Sequence, residues 1–195
     1  SDKINTGKRM RRKTFELITV NLFEKYSYEQ DQSERMKRLA ARIGSAMGLS
    51  KDQISTLETI SYYHDIGKII IPPRLLNRPS DLSLEEYDLV QRHVEAGYQI
   101  MKSQEEYSSI AIYVLSHHER WDGNGYPRKQ KGHEIPLLSR ILAVLDAYTA
   151  MTGNLPYKKS LSTDSAIMEL KKNAGLQFDP EVVDIFTGIL LEEEI

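Results

Sequence analysis

Apolar residues recur along this chain at three- and four-residue intervals, the period of a helix with one buried face. Phe15, Ile18 and Leu22 form one stripe, and Met36, Leu39, Ile43 and Met47 form a second. A third helix is predicted from Ser50, whose hydroxyl can cap the first turn while Gln53 reaches back; it runs through Ile54, Leu57 and Ile60 to a stop near Gly67. Ser83 with Glu86 and Ser103 with Glu106 repeat that capping pattern and predict two more helix starts. Pro136 opens an apolar helix through Ile141, Leu142, Leu145 and Tyr148, and Asp179 with Pro180 opens a closing helix carrying Val183, Phe186 and Leu190. The long stretch from His118 to Pro136 has no period, and Gly123, Gly125, Pro127 and Gly132 mark it as a loop with room for a short hairpin. The pattern predicts an all-α helical bundle without substantial sheet.

The histidines change this picture. His64 lies one turn after Ile60 and two after Leu57; His93 follows Leu89 by four residues; His117 follows Ile110 and Val114 at helical spacing. All three face the predicted core. Any one alone reads as a core histidine satisfied by a single hydrogen bond. Several imidazoles brought inward from separate helices, with carboxylates beside them, are costly to bury unless a cation satisfies them.

Asp65 directly follows His64, and helix neighbours diverge by roughly 100°, so both reach one ion only where the helix ends; Gly67 is expected to supply that end. His117 and His118 are adjacent and can serve one metal if their helix stops there. Asp146 sits among Leu142, Ala143 and Ala150, where an unpaired carboxylate is expensive. Paired metals roughly 3.5 to 4 Å apart are a common device for phosphoester cleavage. Lys68 either places a cation beside them for a phosphate oxygen or is a surface lysine.

Composition narrows the chemistry further. A chain of 195 residues suits one domain with a sizeable core, and its 40% apolar and 28% charged residues suit a soluble globular protein. No apolar run reaches the roughly 18 residues of a membrane span, so no membrane insertion in this segment and a cytoplasmic location are expected. Cysteine is absent, so a metal site must be built from His, Asp, Glu or water, donors that suit Fe, Mn, Ni or Zn. The net charge of −2 hides a basic cluster at Lys8, Arg9, Arg11, Arg12 and Lys13, read as a solvated helix face rather than a site for a DNA or RNA polymer. The chain begins without Met at mid-helix composition, as expected of a piece of a larger sensor protein.

Two runs carry a family resemblance. His64, Asp65, Ile66, Gly67 and Lys68 resemble the HD signature of the HD superfamily of phosphohydrolases. The run His117, His118, Glu119, Arg120, Trp121, Asp122, Gly123, Asn124, Gly125, Tyr126, Pro127 resembles the signature of the HD-GYP subfamily. The resemblance implies an HD-domain helical bundle with a GYP loop over residues 27–195, and a leading linker or dimerisation helix over residues 1–26; simple packing of that helix on the domain fits equally well. It implies two divalent metal ions held at His64, Asp65, His93, His117, His118 and Asp146, with Asp65 bridging. It also implies hydrolysis of a cyclic dinucleotide, cyclic di-GMP, with Lys68 steadying the phosphate and Tyr126 and Lys158 at the substrate. Four positions depart from the pattern. Gln32 stands where an early metal-binding His is expected, Tyr28 where three-metal members carry Glu, Thr149 where a second Asp is usual, and Leu155 where an Arg contacts the ligand. These departures leave a second expectation open, a weakly active or inactive nucleotide-binding module.

Overall fold

Each apolar stripe lies on a helix in the computed structural model, which describes residues 2–76, 82–154 and 159–192. The helices are α1 (Asp2–Lys25), α2 (Ser27–Ala46), α3 (Lys51–Tyr63), α4 (Pro73–Leu76), α5 (Leu84–Gln91), α6 (His93–Lys102), α7 (Ala111–Leu115), α8 (Leu137–Thr152), α9 (Thr163–Lys172) and α10 (Pro180–Glu192). Two short 3-10 turns, Ile66–Ile70 and Gly132–Glu134, complete the order. The described residues contain no strand beyond an isolated bridge between Ala174 and Phe178, so the fold is all-α.

Local chemistry sets most boundaries. Both capping boxes form: Gln53 N donates to Ser50 Oγ at 3.2 Å, and Ser50 N donates to Gln53 Oε1 at 2.9 Å. Ser83 and Glu86 repeat this at 3.2 and 3.0 Å. Each such cap stabilises a helix start by about 1 kcal/mol. The third expected start does not form. Ser103 is the C-cap of α6, its hydroxyl donates back to Ile100 O at 2.6 Å, and the chain runs on in turns until α7. The serine hydroxyl was free to choose either direction, and the preceding helix took it. The closing helix starts as expected, with Glu181 N donating to Asp179 Oδ1 at 2.9 Å.

The core forms where the stripes meet. Met36, Ile43, Leu57, Ile60, Met101, Ile141, Leu142, Leu145 and Phe186 are fully enclosed, drawing α2, α3, α6, α8 and α10 together. A side chain of this size gains about 1.5 to 3 kcal/mol on burial. Helix α1 joins the core through Phe15, whose ring meets Tyr63 edge-on at 5.0 Å, and makes a smaller cluster with Leu22, Phe23 and Tyr26. Lys8 pairs with Glu105 and Arg12 with Glu16, so part of the basic cluster is engaged in exposed ion pairs. None of the described helices is long and apolar enough to cross a membrane.

Candidate metal centre

The site begins where α3 stops. Its last residue is Tyr63, His64 caps it, and Asp65 (φ −103°, ψ 13°) turns the chain into the 3-10 segment. The end therefore falls before Gly67, and this glycine serves a different purpose. A Cβ there would lie 1.8 Å from His93 O and 2.5 Å from Gly97 N. Only a residue without a side chain lets the 3-10 turn rest directly on α6, which delivers His93 to the same space. Helix α7 ends at Leu115, so His117 and His118 follow in a turn, with ring centroids 4.0 Å apart. Helix α8 contributes Asp146.

Three of these imidazoles share one arrangement. Nδ1 of His64, His93 and His117 lies 2.9, 2.7 and 2.6 Å from the carbonyl three residues earlier, on Ser61, Val90 and Val114. A carbonyl can only accept, so Nδ1 carries a proton and Nε2 is the nitrogen turned inward. His64, His93 and His117 are buried, and none of the three Nε2 atoms has a hydrogen-bond partner; Asp65 Oδ1 is likewise unpartnered. They nevertheless crowd together. His93 Nε2 and His117 Nε2 lie 3.3 and 3.8 Å from Asp65 Oδ1, while His64 Nε2 lies 3.1 Å from Asp65 Oδ2 and 3.5 Å from Asp146 Oδ1.

One donor atom each from Asp65, His93, His117 and His118 falls within 4.8 Å of the others, and the same holds for His64, Asp65 and Asp146. Asp65 belongs to both groups. The set fits divalent metal: buried, converging lone pairs without protein partners are costly, and a cation answers all of them together. The donors are imidazole and carboxylate, the types that hold Zn, Fe, Mn or Ni.

Lys68 is a partner of this centre and not a surface lysine. Its ammonium sits 2.7 Å from Asp65 Oδ2 and 2.7 Å from Glu29 Oε1. Glu29, on α2, is fully buried and escaped the sequence reading; its spacing, two turns before Met36 on the inward face, was the available signal. Burial pushes the Glu29 carboxyl up despite Lys68 beside it. Burial would lower the Lys68 pKa, but the Asp65 and Glu29 carboxylates hold it well above its usual value.

Gln32 points inward as its spacing predicts, with Nε2 donating to Asp146 Oδ1 at 2.7 Å. Thr149 spends its hydroxyl on its own helix, 2.9 Å from Leu145 O. Tyr28 lines a cavity beside the centre and Tyr126 stacks on His118 at 5.1 Å. The loop carrying Tyr126 forms no hairpin. Buried Glu119 accepts from Arg128 N at 2.6 Å and Gln130 N at 3.0 Å, and Gly125 passes so close that a Cβ would lie 2.4 Å from Arg120 N. Lys158 and Leu155 lie outside the described residues.

The charges of the centre lead to a prediction. Burial lowers the His64 pKa, but Asp65 and Asp146 more than reverse this and hold it well above the usual imidazole range. Burial lowers His117 to about 4, and burial with His117 and His93 beside it puts His118 well below its usual value. In the metal-free centre Asp65 and Asp146 thus favour a second proton on His64, which must leave before that imidazole can ligate. Metal uptake is expected to release about one proton per chain and to tighten up to about tenfold per pH unit while pH stays below the His64 pKa. Calorimetric titration in two buffers of different ionisation enthalpy measures this; buffer-independent heats would refute it.

Comparison with known proteins agrees with this geometry. An HD domain family model matches residues 17–182. A cyclic di-GMP phosphodiesterase of Thermotoga maritima is 36% identical over 186 residues, covering 93% of this chain and 50% of the relative. The cyclic di-GMP phosphodiesterase response regulator RpfG of Xanthomonas campestris is 38% identical over 153 residues, covering 77% and 40%. The chain thus spans half the length, or less, of these curated relatives. A solved cyclic GMP-AMP specific phosphodiesterase of Vibrio cholerae superposes with a TM-score of 0.64 at 18% identity, over 89% of this chain and 48% of that one. With matched HD and GYP runs folded around one set of inward imidazoles and acids, the chain belongs to the HD domain family and, within it, to the HD-GYP group.

Proposed function

We propose that this domain is a phosphodiesterase that hydrolyses a cyclic dinucleotide, cyclic di-GMP, to the linear dinucleotide or GMP. The observation that carries the reading is the convergence of three unpartnered imidazole nitrogens and an Asp65 oxygen beside a half-buried lysine. His64, Asp65 and Asp146 would hold one divalent ion; His93, His117 and His118 would hold a second, with Asp65 shared. Bound divalent metal supplies a Lewis acid for a phosphoryl oxygen and a water acidic enough to attack near neutral pH. The chain's own residues do the rest. Lys68, gripped by Glu29 and Asp65, offers a fixed ammonium to a non-bridging phosphate oxygen. Tyr126, stacked on His118, walls the approach of the nucleotide, and Lys158 is proposed as a further substrate contact on the family resemblance alone. Residues 1–26 are proposed to link the domain to a sensor or to pair two copies, since Met10, Leu17 and Val20 stay exposed on α1.

A second reading, a nucleotide-binding module with weak turnover, is favoured by Gln32. Its amide occupies an Asp146 oxygen that a metal would use, and an amide is a poorer metal donor than imidazole. Protein loaded anaerobically with Mn or Fe(II) should linearise cyclic di-GMP, followed by chromatography of the products. Tight nucleotide binding without turnover would replace the first reading by the second. Gln32→His is expected to raise turnover or metal content by about tenfold or more, since it restores an imidazole at that point; equal values would show that Gln32 does not weaken the site.

A further inference from the structure

Beside the metal centre lies a cavity of about 600 Å³ between α2 and the end of α8. Gln32 belongs to both: it lines the cavity on one side and donates to Asp146 on the other. The volume falls within the usual range for small-ligand pockets. Arg35 stands half-buried in the wall. Its guanidinium donates to Thr149 O at 3.3 Å and to Thr152 Oγ1 at 2.8 Å, both neutral acceptors. Among the described residues it has no carboxylate within ion-pair distance, whereas Lys68 is held by two and Arg140 by Asp179. Arg38, an exposed residue, adds a second guanidinium to the lining.

A partly desolvated guanidinium that spends two of its five donors on neutral oxygens keeps both its charge and part of its fork for an incoming anion. Asp31 and Glu34 also line the cavity, so it is a mixed-charge pocket, suited to a ligand with one anionic group and several donors. A cyclic dinucleotide carries two phosphodiesters. The metals and Lys68 can neutralise one, which leaves the other to be met elsewhere.

We propose that Arg35 anchors the second phosphate, the one not being cleaved, and that this cavity is the subsite for that nucleotide half. The proposal rests on the phosphodiesterase reading for the identity of the ligand, but its test does not depend on hydrolysis. The 195-residue chain, stripped of metal by a chelator, is titrated with 5′-GMP by calorimetry. The wild-type chain should bind, and Arg35→Gln should weaken binding by about tenfold or more, the loss expected for a charge-assisted fork. Arg35→Lys should recover part of it. Because Arg35 also ties α2 to α8, thermal unfolding is run in parallel, and Thr152→Asp gives an independent arm. That change sets a carboxylate against an intact Arg35 and should weaken GMP binding as Arg35→Gln does. No GMP binding without metal, or equal affinity in wild type and Thr152→Asp, would overturn the subsite. Failure of cyclic di-GMP hydrolysis with Arg35-dependent GMP binding intact would instead count against the phosphodiesterase reading alone.

Discussion

Replacing Asp65 by Asn should strip the centre of metal and lower cyclic di-GMP hydrolysis by at least about a thousandfold, equivalent to about 4 kcal/mol of transition-state stabilisation. The size follows from position. Asp65 is the donor common to both metal-binding groups, and it also contacts the Lys68 ammonium at 2.7 Å. Asn keeps the shape but removes the charge, so one substitution weakens both ion sites and releases one of the two anchors of Lys68. Burial disfavours the Asp65 charge, yet His64 and Lys68 hold its pKa well below the usual carboxylate value. The charge is therefore present throughout the working pH range, and its loss is felt at every pH. Elemental analysis after loading gives the ion count, and product chromatography gives the rate. Full metal content with turnover near wild type would rule out the shared-ligand role.

Gly67→Ala should destabilise the fold by about 4 kcal/mol or more, placing it among the few substitutions with very large effects. The added Cβ would lie 1.8 Å from His93 O and 2.5 Å from Gly97 N, both backbone atoms that no rotamer change can move. Either the 3-10 turn or α6 must retreat. The first carries Lys68 and follows Asp65, the second begins with His93, so the retreat opens the metal centre as well. The expected result is a fall in melting temperature of roughly 10 °C, together with loss of metal uptake. A variant with wild-type melting and metal content would show that the two segments do not meet this closely.

Most of the architecture is legible in the order of residues. The stripes Met36–Ile43, Leu57–Ile60 and Ile141–Tyr148 each became a buried helix face, because helical period and burial follow directly from side-chain order. Ser50 and Ser83 capped as expected, while Ser103 did not: a capping box is local, and a hydroxyl at a helix boundary can bond to either side. Gly67 shows a different limit. The sequence marks a glycine, but whether it ends a helix or admits a neighbouring backbone depends on an element about thirty residues away.

The same division runs through the site. The order of residues by itself determined that His64, His93 and His117 face inward, that no thiolate takes part, and that the HD and GYP runs are present together, since these are matters of spacing and residue type. Only the tertiary structure decided that Asp65 sits between both donor groups, that buried Glu29 grips Lys68, that Gln32 spends its amide on Asp146, and that Arg35 faces a cavity with no carboxylate of the described residues in ion-pair reach of it. The physical reason is range. Periodicity tells which way a side chain points, whereas the partner it meets, and therefore its charge and its task, is set by contacts between helices far apart in the chain.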